Sequence, residues 1–250
     1  MAFLEIRNVS KSYGEGPSAT SVLKDIDLSV EEGEFVAIVG FSGSGKTTLI
    51  SILSGLTAPD EGEVLLKGQP ISKPGPDRGV VFQSFALFPW KTVLDNVAFG
   101  PKMRGVAKEE RDRIAREYLA LAKLTEAAER YPNELSGGMQ QRVGVVRALA
   151  NEPEVLLMDE PFASVDAQTR MTLQEELTRI WWEKRPTVLF ITHDVPEAVF
   201  LADRVIVLSK GRVLREMEVN LPRPRSWEAL HEDATFKALT GQVLALVRSA

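Results

Sequence analysis

The chain has 250 residues, a formal net charge of −5, and 44% hydrophobic and 26% charged residues, with no cysteine. That length supports one large domain or two small ones with real cores, in the composition of an ordinary globular protein. Without cysteine there is no disulfide framework, thiolate metal site or cysteine nucleophile, and the acidic balance argues against a mainly electrostatic nucleic-acid binder.

No stretch is apolar for the length that crosses a bilayer, and Met1-Ala2-Phe3-Leu4-Glu5 lacks the basic start and apolar run of an export signal. The expected compartment is therefore the cytoplasm.

Taken in order, residues 3–9 alternate and predict a first strand. Ser12-Tyr13-Gly14-Glu15-Gly16-Pro17 reads as a turn with one exposed aromatic. Residues 22–30 and 35–39 predict two more strands, separated by Glu31-Glu32-Gly33-Glu34. Then comes the stretch that organises the chain: Gly40-Phe41-Ser42-Gly43-Ser44-Gly45-Lys46-Thr47-Thr48, between an apolar strand and a predicted helix beginning Leu49-Ile50-Ser51. This is the strand, glycine-rich turn and helix of a phosphate-binding loop. Glycines let the backbone curl with its N–H groups facing a polyphosphate, and the helix adds its positive dipole end. Lys46 supplies charge to the β- and γ-phosphates, and the Thr47 hydroxyl is placed to ligate Mg²⁺. A Gly/Ser hairpin turn that binds nothing would not carry this full pattern in this context. The sequence predicts a protein that binds a nucleoside triphosphate.

Residues 58–62 predict a turn, 63–66 a strand, and 79–82 a buried strand ending in Gln83. From about 84 to 150 the pattern turns helical, with Ile114, Tyr118, Leu121 and Leu124 at helical spacing. Strands at 154–158, 187–192 and 204–208 then alternate with helices at 167–184 and 195–201. Residues 226–248 close the chain as one or two helices. The implied class is α/β, a parallel-sheet core with a helical insertion.

Further chemistry sits at strand ends and a helix start. Asp159 and Glu160 follow Val155-Leu156-Leu157-Met158, at the sheet edge where ligands gather. Asp159 suits Mg²⁺, and Glu160 suits orienting the attacking water. His193 ends a strand ahead of Asp194, a natural helix N-cap. Its place at a strand's C-terminal end, in a sheet already carrying phosphate chemistry, makes it read as catalytic rather than structural. His231 reads as a surface residue. Ser136-Gly137-Gly138 heads a predicted helix. By itself it reads equally as an N-capped start with glycines at its mouth or as a second anion-facing helix start that a second chain could bring to the phosphate.

In this order, Gly40-x4-Gly45-Lys46-Thr47, Gln83, Leu135-Ser136-Gly137-Gly138-Met139-Gln140, Asp159-Glu160 and His193 resemble the nucleotide-binding subunits of ATP-binding cassette (ABC) transporters, over about residues 3–213. The resemblance implies a P-loop NTPase core with a mostly parallel sheet, an N-terminal antiparallel β part and an inserted helical subdomain. It implies one cassette domain over 1–250. Residues 1–83 and 151–215 would form the core with its N-terminal β subdomain, 84–150 the helical subdomain and 216–250 a C-terminal helical tail. It also implies a head-to-tail homodimer. Each ATP would be held by the phosphate loop of one chain (Gly40, Ser42, Gly43, Ser44, Gly45, Lys46, Thr47, Thr48) and by Ser136, Gly137 and Gly138 of the other. Tyr13 matches the aromatic that stacks on adenine. Gln83 matches the residue that contacts Mg²⁺ and the attacking water, and Asp166 the acidic residue that communicates across the dimer. Lys46, Gln83, Glu160 and His193 form the implied catalytic set, with Thr47, Gln83 and Asp159 at the metal. The loop Ala163-Ser164-Val165-Asp166 departs from the family's usual Ser-Ala-Leu-Asp, which bears on Ser164 and not on Asp166.

Ser84-Phe85-Ala86-Leu87-Phe88-Pro89-Trp90 is too apolar for a freely solvated loop and marks either a partner site or a piece of core. Residues 87–97, Phe162 with Asp166-Ala167-Gln168-Thr169-Arg170, and Leu221-Pro222-Arg223-Pro224-Arg225 resemble the nitrate, sulfonate and taurine importer branch. That resemblance implies two integral-membrane permease subunits as partners, a periplasmic or surface substrate-binding protein indirectly, no nucleic acid, and a peripheral place on the cytoplasmic face of the inner membrane. Aliphatic sulfonate is the favoured cargo. A cassette acting on nucleic acid or ribosomes is the alternative, but the long coiled-coil insertion or second cassette usual there is missing. A generic phosphate-loop kinase leaves Ser136-Gly137-Gly138 and His193 without roles.

Overall fold

In the computed structural model, which describes residues 2–16, 19–163 and 165–249, strand β1 (Leu4–Tyr13) runs past the predicted end at residue 9 and takes in Ser12 and Tyr13, the first two residues of the segment read as a turn. Gly14, Glu15 and Gly16 lie outside the strand, as that reading expects. Long-range pairing overrides the turn composition: β1 pairs antiparallel with β2 (Thr20–Val30), Tyr13 lying opposite Thr20. Pro17 lies outside the described residues. Residues up to 75 and from 185 onward form one compact unit, and residues 76–184 form the other.

In the first unit, the wholly buried β3 (Phe35–Val39) feeds the glycine-rich loop and helix α1 (Lys46–Leu53). Strands β4 (Glu61–Leu66) and β5 (Gln69–Pro70) join the first two in a four-stranded antiparallel sheet of order β2-β1-β4-β5.

The second unit begins with β6 (Arg78–Val81), which pairs in parallel with β7 (Val155–Asp159), Gly79 beside Leu156 and Val81 beside Met158. Between them lie α2 (Val93–Val97), α3 (Phe99–Met103), α4 (Lys108–Leu121) and α5 (Gly137–Leu149); α6 (Ala167–Lys184) follows β7. The helical pattern expected from residue 84 thus starts only at α2, where the Thr92 hydroxyl accepts the Asp95 N–H at 3.1 Å. Ahead of it, the fully buried Asn96 pins an irregular segment, accepting from the Phe88 N–H and donating to the carbonyls of Phe88, Lys91 and Thr92. Helix α4 buries Ala115, Tyr118 and Leu119 and turns the Glu110–Arg113 and Arg113–Glu117 pairs to solvent, where such pairs contribute little.

The chain then returns to the first unit with β8 (Thr187–Thr192), α7 (Val195–Leu201) and β9 (Arg204–Ser209). Strand β3 lies between β8 and β9, parallel to both. Every residue of β3 and β8 is buried, which is why both read as continuous apolar runs and not as alternation. Strand β10 (Arg212–Glu218), not expected from the sequence, returns antiparallel along β9. Helices α8 (Trp227–His231) and α9 (Ala234–Ser249) end the chain. The class is α/β, with parallel core strands and an antiparallel N-terminal sheet. Among the described residues no helix is long and apolar enough to cross a membrane.

Candidate functional site

Backbone crowding shapes the glycine-rich loop between β3 and α1. A Cβ on Gly40 would sit 2.2 Å from the Leu208 carbonyl oxygen, so the loop leaves β3 flush against β9. Gly45 has φ 104, and a side chain there would also meet Leu23 Cδ2 at 2.6 Å. Both positions demand glycine. Gly45 stands at the N-cap of α1, where no side chain caps the helix, so its first-turn N–H groups face the loop's interior. Lys46 is 6% exposed and folds back over the loop, its Nζ donating to the carbonyls of Gly40 (2.9 Å) and Phe41 (3.0 Å).

Ser44 Oγ is buried with no hydrogen-bond partner among the described residues. A buried orphan hydroxyl, an uncapped helix start and a retractable ammonium fit a polyphosphate. Ser42, Gly43 and Thr47 are exposed and Thr48 half-buried, so the Thr47 hydroxyl is open to a cation. A cavity of about 160 Å³ lies along the loop, lined by Gly40, Ser42 and Ser44 on one side and Leu208, Lys210 and Val247 on the other.

Elsewhere in this unit, Tyr13 ends β1 with 47% of its surface exposed and the Lys11 ammonium 5.7 Å from its ring centroid. An open ring at a strand end is available for stacking. His193 is exposed, between β8 and α7. The Asp194 carboxylate caps α7 by accepting the Glu197 N–H at 3.1 Å, and the Asp194 N–H donates to Thr192 Oγ1 at 2.9 Å. The turn that presents the histidine is therefore tied on both sides.

In the second unit, Asp159 is the last residue of β7 and Glu160 follows with φ 43. A left-handed backbone is uncommon for Glu and stores strain of about 1–3 kcal/mol, which marks functional turns. No sequence signal announces it. The Asp159 carboxylate supplies hard oxygen donors of the kind that Mg²⁺ takes. Ser136 is the N-cap of α5, its Oγ accepting the Met139 N–H at 3.3 Å. A Cβ on Gly138 would lie 2.6 Å from Thr169 Cγ2, so the start of α5 closes on the start of α6. There Asp166 caps in turn, accepting the Thr169 N–H at 3.0 Å. That bond holds the Asp166 carboxyl below its ordinary range. This brings the Ser136 and Asp166 segments together. Ser164 lies outside the described residues.

Gln83 is exposed at the head of the irregular segment after β6. The apolar stretch behind it divides. Phe88 packs on Phe99 (ring centroids 4.6 Å apart) beneath the Arg147 guanidinium at 5.6 Å, whereas Phe82 and Trp90 are exposed, Trp90 by 72%. Arg147 also donates to the Ala86 carbonyl at 2.7 Å. Asn96 and Arg147 shape this segment and were not anticipated; a charged residue inside a helical pattern gives no hint of a loop-binding role.

A family model described as ABC transporter matches residues 23–163. An uncharacterized ABC transporter ATP-binding protein of Methanocaldococcus jannaschii, MJ0412, is 49% identical over 224 residues, covering 89% of this chain and 84% of its own. The bicarbonate transport ATP-binding protein CmpD of Synechococcus elongatus is 47% identical, covering 97% of this chain and 89% of its own. The nitrate import ATP-binding protein NrtD of the same organism is 45% identical, covering 97% and 90%. Among solved structures, the ATP-binding cassette MJ0796, a dimer in a post-hydrolysis state bound to ADP and Pi, superposes with a TM-score of 0.76 at 37% identity, over 88% of this chain and 100% of its own.

Proposed function

The chain belongs to the ABC transporter family, and from that premise we propose that it powers import of a small anion through a separate permease. It is an ATPase of that family, using ATP with Mg²⁺. The supporting observation for the phosphate assignment is the loop itself, with Ser44 Oγ orphaned and Lys46 resting on carbonyls it can exchange for phosphate oxygens.

In this reading the residues divide the work. Gly40, Ser42, Gly43, Ser44, Gly45 and Thr48 cradle the phosphates, and Lys46 supplies their counter-charge. Tyr13 stacks on adenine. Thr47, Gln83 and Asp159 hold Mg²⁺, which when bound neutralises charge developing on the transferred phosphoryl group. Glu160 orients the attacking water, with Gln83 and His193 beside it. Ser136, Gly137, Gly138 and Asp166 serve the partner copy's nucleotide in a homodimer. Residues 84–150 form the helical subdomain of one cassette, and the exposed Phe82 and Trp90 face the permease.

The relatives named for bicarbonate and nitrate support a small inorganic anion as cargo; aliphatic sulfonate or taurine rests on sequence resemblance alone. Two integral-membrane permease subunits, a substrate-binding protein outside the membrane, and a peripheral position on its cytoplasmic face follow from the importer role. Glu160→Gln is expected to slow turnover about 10²–10⁴-fold while ATP still binds and the dimer still forms. An ATPase assay read beside analytical ultracentrifugation tests this; near-normal turnover, or no ATP-dependent dimer, refutes the assignment.

A further inference from the structure

The Leu221-Pro222-Arg223-Pro224-Arg225 stretch has no role in the chemistry above, yet it places two guanidiniums inside the first unit. Arg225 is 6% exposed. Its Nη1 donates to the carbonyls of Val199 (3.2 Å), Phe200 (2.9 Å) and Ala202 (2.8 Å), and its Nη2 to those of Val219 (3.4 Å) and Leu221 (3.1 Å). Arg223 donates to the Leu201 carbonyl at 2.6 Å and twice to Asp203 Oδ1, at 2.7 and 3.1 Å. Asp203 Oδ2 in turn accepts the Phe35 N–H at 3.1 Å, at the foot of the strand that leads to the phosphate loop.

A helix end leaves its last carbonyls without intrahelical partners. After α7 the chain turns extended at Ala202 (φ −87, ψ 158), so the usual glycine-type closure is missing. The arginines supply the donors instead, and their charge complements the helix dipole. Trp227 adds a parallel stack on Phe200, with ring centroids 4.3 Å and planes 6° apart. Helix α7 is short, and of its residues only Pro196 is not buried. It spans about 10 Å at 1.5 Å per residue. A rod this short and tightly packed cannot shift at one end without shifting at the other, and the other end follows directly on His193.

We propose that Arg225, assisted by Arg223, is a positioning residue for His193, fixing α7 from its C-terminal end so that the histidine keeps its place. This rests on the catalytic reading of His193. A lysine cannot substitute at the central position, because a point charge cannot address carbonyls spread over five residues as the planar fork does.

The test measures kcat and KM for ATP on the full chain in wild type, Arg225→Lys, His193→Ala and the double variant, with melting temperatures alongside. Arg225→Lys is expected to lower kcat about 10–100-fold, the loss typical of a small misplacement, with KM within about twofold. In the His193→Ala background the same change should lower kcat by less than about twofold, because the group it positions is gone. Should Arg225→Lys fail to fold, Arg223→Gln, which leaves every Arg225 bond in place, is expected to show the same dependence on His193. Losses that multiply in the double variant, or a lower melting temperature with unchanged kcat, overturn the proposal while leaving the site reading intact. A fully active His193→Ala overturns that reading and the proposal with it.

Discussion

Two helices of this chain begin in glycine-rich sequence, and they begin differently. Helix α1 starts at Gly45, left-handed and without a capping side chain, with a lysine folded over the loop that precedes it. Helix α5 starts at Ser136, whose hydroxyl already accepts the Met139 N–H. Both offer an anion a positive dipole end. Only α1 leaves its first-turn donors uncapped and keeps a cation beside them. The contrast teaches that two similar-looking signatures have unequal tasks. Under the proposed function, the α1 start would hold phosphate within one chain, and the α5 start, already a finished helix end, would add contacts to a phosphate held by a partner copy.

The sharpest way to break that contrast is to remove the cation. Lys46→Ala deletes charge-assisted bonds of about 1.5–3 kcal/mol each, so ATP affinity should fall at least about tenfold in a fluorescent-nucleotide titration. Unchanged affinity would place the phosphate elsewhere. The matching change at the other helix start is smaller and of another kind. Ser136→Ala removes an N-cap, with a typical cost of about 1 kcal/mol, so the urea midpoint should drop. ATP affinity of the isolated chain should stay within about twofold, and the steady-state rate should fall only where chains pair. A large loss of affinity in that variant, measured at concentrations too low for pairing, would erase the distinction.

Much of this was legible before the structure. The buried strands β3, β7, β8 and β9 announce themselves as unbroken apolar runs, and α6 and α7 occupy the stretches their periodicity marks. The glycine-rich turn between β3 and α1 is legible because its spacing after an apolar strand admits little else. What escaped depends on partners distant in sequence. Tyr13 belongs to a strand because Thr20 pairs with it. Residues 84–92 are irregular because Asn96 and Arg147 bind their backbone. Strand β10 is largely exposed and charged, and only its pairing with β9 makes it a strand. The left-handed Glu160 and the buried Arg225 escaped for another reason: each is a charged residue used against its usual habit, which composition cannot reveal.

The smallest expected effect lies at a third helix start, that of α6, where Asp166 does with a charge what Ser136 does with a hydroxyl. Its carboxylate accepts the Thr169 N–H, and that backbone bond is the main reason its pKa lies below the ordinary aspartate range. A carboxyl whose folded pKa is depressed adds stability above its unfolded pKa and loses it as pH falls through the folded value. Asp166→Asn keeps an acceptor for the same N–H and removes the charge. The wild type should therefore be the more stable of the two above about pH 5, with the gap narrowing below about pH 4 as the carboxylate is protonated. Urea midpoints across that range give the comparison. Ser136→Ala, whose cap does not titrate, should show a pH-independent gap in the same series. If the Asp166 gap were also flat with pH, the cap would be acting as a neutral acceptor and the charge at the head of α6 would serve something other than the helix.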